Sequence, residues 1–171
     1  MASSMNREWI AAEFSKGIDA EQASADEARG RADSPPDPTL GVLYHEIATA
    51  DDRHRVIVET VATRYGHTPS RGLGGGIGES LGRLRDKVTD KVMGTGKPME
   101  RVAHDLAVKA NAIHWYTAWV HAFEALGDAE SARELSAVLT EESSHRDALQ
   151  LGLNRLVQQG AGAVAATAST P

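Results

Sequence analysis

Apolar residues recur every three or four positions through Leu40, Leu43, Ile47, Ala50, Ile57, Val58, Val61 and Tyr65. That is the period of an amphipathic helix. Asp37 supplies an N-cap and Pro38 suits the first helical position, where a missing N–H costs nothing. Gly66 ends the pattern. A second, short helix is predicted from about Ser80 to Met93, with Leu81, Leu84, Val88 and Val92 inward. Pro98 opens a third, which runs to Leu126. Gly127 stops it and Asp128 caps a fourth, which carries Leu135, Val138, Leu149 and Leu156 and ends near Gln159. Short connections between the later helices imply antiparallel neighbours. The pattern therefore predicts an all-α protein, an antiparallel up-down four-helix bundle over residues 37–159.

The flanks read differently. Residues 1–36 predict a peripheral segment: a polar, Ala-rich helix from Asn6 to Arg29 with Trp9, Ile10 and Phe14 as a small apolar patch. The linker signal Asp33-Ser34-Pro35-Pro36 follows it. Residues 160–171 are rich in Ala, Gly, Ser and Thr and predict a disordered tail. The glycines of residues 66–78 lack both GxGxxG spacing and a following Gly-Lys-Ser/Thr, so they read as a connector and not as a phosphate loop.

Polar residues interrupt the apolar stripes at their centres. On the fourth helix Glu142 and His145 fall between Val138 and Leu149, on one face and about one turn apart. Asp51 and His54 repeat that spacing on the helix after Pro38. Asn111 and His114 repeat it on the third helix with an amide for the acid. All lie near mid-helix, so they are expected to converge at one level of the bundle. Burying such groups costs several kcal/mol unless they are paired or bind an ion. Two readings follow. One is a divalent metal (iron, manganese or zinc) held by Asp51, His54, His114, Glu142 and His145, with Glu46 and Asn111 as accessories. The other is a metal-free hydrogen-bonded network that fixes helix register in a non-catalytic, structural or partner-binding bundle. Trp115 and Trp119 face away from the inner stripe. Either the N-terminal segment or a second subunit covers them, and the polarity of residues 1–36 favours the subunit, hence a homodimer or higher homo-oligomer.

Composition narrows the classes. The net charge of −6 and the lack of a basic stripe argue against nucleic acid. The absence of cysteine excludes disulfides, thiolate metal sites and thiol nucleophiles. No signal-peptide pattern or apolar run of membrane-spanning length occurs, which predicts a cytoplasmic protein.

The Ala122–Leu149 stretch, with its Ala125-Leu126-Gly127-Asp128 turn and Glu142-x-x-His145 pair, resembles the last hairpin of small bacterial stress-related members of the ferritin-like superfamily. The resemblance spans about residues 38–158. It implies a four-helix fold, di-metal binding, oxidase or peroxide-linked activity, and a role in stress or metal handling. The family pattern has a lone Glu on helices one and three and Glu-x-x-His on helices two and four. Counted from Pro38, the second helix offers only Asp86 and Asp90, neither followed by His, so a single-metal or degenerate site is implied.

Overall fold

The computed structural model describes residues 2–67 and 98–168, with side chains for 8–67 and 98–161. Its helices are α1 (Ala2–Asp33), α2 (Pro38–Arg64), α3 (Pro98–Leu126) and α4 (Ala129–Ala168), and no strand occurs among the described residues. The helix expected at 80–93 lies outside the described residues.

The helix ends form as the sequence dictates. The Asp37 side chain accepts from the Thr39 N–H at 2.8 Å, with Pro38 in the first turn. Gly66 adopts φ +87° and Gly127 φ +75°, a left-handed backbone that favours glycine. Asp128 caps α4 by accepting from Ser131 N–H at 3.0 Å, and Tyr65 donates to the same carboxylate at 2.8 Å.

Two expectations for the flanks are corrected. The N-terminal segment is an integral helix: Ile10 and Phe14 are fully buried against Val58, Val61 and Phe123, and Ala28 and Ala32 pack with Leu40 and Leu149. Its buried positions run Ile10, Phe14, Gly17, Glu21, Ala25, Ala28, Ala32, a regular three–four stripe built largely from small residues. Small residues bring helix backbones close. At Gly17 an added Cβ would lie 2.5 Å from the Trp119 ring, so a side chain there would displace the indole. At the other end α4 continues through Ala168, consistent with the high helix propensity of its alanines, where a disordered tail was expected.

Cross-helix contacts locate the ends. Arg64 at the end of α2 meets Glu130 and Glu134 at the start of α4, while Asp37 before α2 accepts from Gln159 late in α4. Arg31 late in α1 meets Asp105 early in α3, whereas Tyr44 early in α2 reaches the same Asp105. The apolar core falls into two clusters, one around Phe14, Trp119 and Phe123, the other around Leu40, Tyr44 and Leu149. Between them lies a polar layer.

Candidate metal centre

Each helix contributes to that layer from its buried stripe. Glu21 comes from α1, Asp51 and His54 from α2, Lys109 from α3 and Glu142 from α4, all buried. One ligand atom from each of Glu21, Asp51, His54 and Glu142 can be chosen so that all four lie within 4.8 Å of one another.

Lys109 Nζ sits among them, donating to Asp51 Oδ1 at 2.7 Å and to Glu142 Oε1 at 2.9 Å. Ser24 donates to the other Asp51 oxygen at 2.6 Å. His54 Nδ1 lies 3.1 Å from Glu142 Oε1, and its Nε2 lies 3.1 Å from Glu141 Oε2. Glu141 is held in turn by Arg53 at 2.8 Å. A carboxylate at each ring nitrogen favours the doubly protonated form of His54, in which both nitrogens donate. Burial alone would lower its pKa, but hydrogen bonds to Glu142 and Glu141 and the Glu21 charge outweigh that and raise it.

The carboxylates differ in the same physical terms. Burial, then the charges of Glu142 and Asp51, push Glu21 up to about 7, although Tyr116 donates to it at 2.6 Å. Burial also raises Asp51 despite the opposing Lys109 charge. For Glu142 burial is overcome by the His54 hydrogen bond and Lys109, so its pKa is lowered. Lys109 is raised because its two carboxylates outweigh the cost of burying it. Two polar atoms of the layer are buried without a hydrogen-bond partner, Glu142 Oε2 and His145 Nδ1. Burial and the Lys109 charge lower the His145 pKa, which keeps this half-buried ring neutral.

The structure thus brings together Asp51, His54 and Glu142, with His145 at the margin. It does not bring in the other expected residues. His114, Asn111 and Glu46 are exposed. The reason on α3 is the choice of face. This helix is apolar nearly all round, and its buried stripe is Val102, Asp105, Lys109, Tyr116, Trp119 and Phe123, not the one bordering His114. Sequence reasoning missed Glu21, Lys109 and Glu141. The first two sit at the centre of a buried three–four stripe, as Asp51 does, but on α1 that stripe is built of small residues and on α3 apolar residues surround it on every side. The tryptophan pair also divides: Trp119 is buried under α1, stacked on Phe14 with centroids 4.6 Å apart, while Trp115 is half exposed.

No protein-family model, curated protein or solved structure matches the chain. No helix among the described residues is long and apolar enough to cross a membrane.

Proposed function

We propose that this chain is a ferritin-like antiparallel bundle that binds one divalent transition metal, iron or manganese, at Glu21, Asp51, His54 and Glu142. The observation that carries the reading is the convergence of four buried ligand atoms from three helices, with Glu142 Oε2 left unpartnered. Counting from α1 supports the family pattern better than counting from Pro38. One Glu of the first helix, Glu21, enters the layer, and carboxylate-x-x-His pairs lie on the second and fourth helices, as in carboxylate-bridged di-metal bundles. The helix ends that meet support two hairpins, α1–α2 and α3–α4, joined by one long crossover, which is also the ferritin-like connection.

The departure is Lys109, an ammonium where the third helix of that pattern supplies a carboxylate. It places a fixed positive charge in the layer, so one ion fits and a second is opposed. Three oxygens and one imidazole suit iron or manganese. Bound there, either would supply one-electron redox chemistry in a water-poor site, which fits a stress or metal-handling role. Glu141 would hold His54 through Nε2 and leave Nδ1 as the ligand, the usual carboxylate–histidine arrangement behind a metal. Charge also balances. With protons on Glu21 and His54, Asp51 and Glu142 are offset by Lys109 and His54, and exchange of those two protons for a divalent cation leaves the layer neutral.

A second reading is favoured by the short Lys109 contacts: a metal-free ion-pair layer that fixes register. Metal analysis separates the two. Protein stripped with chelator and dialysed against manganese or anaerobic ferrous iron should hold one ion per chain, lost in His54→Ala/Glu142→Ala. No metal in the wild type, or equal metal in both, would leave the ion-pair layer as the function of these residues.

A further inference from the structure

Beside the polar layer, between α1 and α3, lies a cavity of about 330 Å³. At the ~30 Å³ a water takes up in the liquid, that is room for roughly ten non-hydrogen atoms. Its walls include Trp115, Tyr116 and Trp119, with Gly17 across from them, and Glu21 and Lys109 line its polar side. Trp115 is 47% exposed, which places it where solvent meets the cavity. Tyr116 and Trp119 meet edge to face with centroids 5.1 Å apart, so two of the three aromatic walls are fixed by their own packing.

The cavity carries unspent hydrogen-bonding capacity of both kinds. Glu21 Oε1 accepts from Tyr116, whereas among the described residues Oε2 has only the 3.9 Å approach of His54 Nδ1. Lys109 has three N–H donors, of which Asp51 and Glu142 take two. The Trp119 Nε1 donor is buried without a partner. Both charge signs stand just behind the polar side, around Lys109. A ligand carboxylate would meet the negative charges of Asp51 and Glu142 and compete with them for Lys109. A ligand ammonium would meet the positive charges of Lys109 and His54. A hydroxyl meets neither penalty, because it can donate to Glu21 and accept from Lys109 at once.

We propose that this cavity binds a small, uncharged, largely apolar alcohol, its hydroxyl toward Glu21 and Lys109 and its hydrocarbon body against Trp115, Tyr116 and Trp119. The site needs no metal, so its test is independent of the reading above. Chelator-stripped full-length protein is titrated with octanol, octanoate and octylammonium, following tryptophan fluorescence and binding heat. Octanol should give saturable binding, with both charged analogues weaker by about tenfold or more. Ala20→Phe, at an exposed position on the cavity lining, should abolish it. Should that variant not fold, as judged by circular dichroism, Trp115→Ala read by calorimetry alone should weaken octanol by about tenfold. Absence of saturable octanol binding, equal binding of all three probes, or octanol binding unchanged in the folded variant would overturn the proposal.

Discussion

The apolar cluster around Phe14 and the polar layer around Lys109 are built on the same four helices and at the same stripe positions, yet they obey different rules. In the first, Phe14, Trp119 and Phe123 form a stacked and edge-to-face aromatic group with Val58, Val61 and Leu135. Each such side chain gains about 1.5–3 kcal/mol from burial with no demand for a particular partner. In the layer, Asp51, Glu142 and Lys109 gain only what their mutual geometry returns, since each charge costs several kcal/mol to bury. The layer is also incompletely satisfied, at Glu142 Oε2 and His145 Nδ1. Stability is therefore concentrated in the apolar ends, and unmet polar capacity is concentrated between them.

Emptying the apolar end has the largest expected effect. Ile10→Ala/Phe14→Ala should cost at least about 5 kcal/mol, since buried Phe→Ala and Ile→Ala changes each lose several. That is a large share of a domain's usual 5–15 kcal/mol. Urea denaturation measures it, and the loss should be the same with and without manganese. A loss below about 1 kcal/mol would mean that α1 is the loose appendage that its polar sequence suggests.

Lys109→Met probes the layer instead. Removing the ammonium leaves His54 alone, among the described residues, to offset both Asp51 and Glu142, at a cost of about 3–5 kcal/mol in chelator. Here the metal should matter: with no ammonium to oppose it, the cation should bind the variant more tightly than the wild type, and each tenfold drop in Kd narrows the loss in manganese by about 1.4 kcal/mol. Equal loss in chelator and in manganese would leave Lys109 a structural residue only.

Much of this contrast was written in the stripes, but unevenly. On α2 and α4 large aliphatic residues flank the polar ones, so Asp51, His54 and Glu142 stand out against Ile47, Val58, Val138 and Leu149. On α1 the flanking residues are Gly17 and Ala25, too small to register as an apolar face, so nothing in the pattern sets Glu21 apart. Burial there comes from close backbone approach, a property of the partner helix as much as of α1. On α3 the fault is the reverse: apolar residues on every side make the inward face ambiguous, and the face bordering His114 is not the one that carries Lys109. Glu141 was not legible at all, because its role rests on one ring nitrogen of His54 and not on any periodicity.

The smallest effect expected is also the one whose sign is most informative. Glu21 has a folded pKa of about 7 against an ordinary 4.5, because burial and the charges of Glu142 and Asp51 disfavour its ionised form. A carboxyl raised in this way binds its proton more tightly when folded. Stability is thus lost as pH climbs from 4.5 through about 7, and the loss levels off above that. The shift corresponds to about 3 kcal/mol. Gln at this position still accepts from Tyr116 but cannot ionise, so Glu21→Gln escapes the penalty. In chelator the variant should match the wild type near pH 4.5 and be the more stable by up to about 3 kcal/mol at pH 8. His54, whose pKa is raised, also loses its contribution as pH rises through its folded value, but it does so in both proteins. The difference between them therefore isolates Glu21, less whatever part of the His54 shift Glu21 itself supplies. Manganese should reverse the order, because the amide is a poorer ligand than the carboxylate it replaces. Paired melting curves at pH 5 and pH 8 decide the matter. A variant less stable than wild type in chelator at pH 8 would show that Glu21 is ionised and satisfied in the apo layer, and the proton-for-metal exchange would lose its basis.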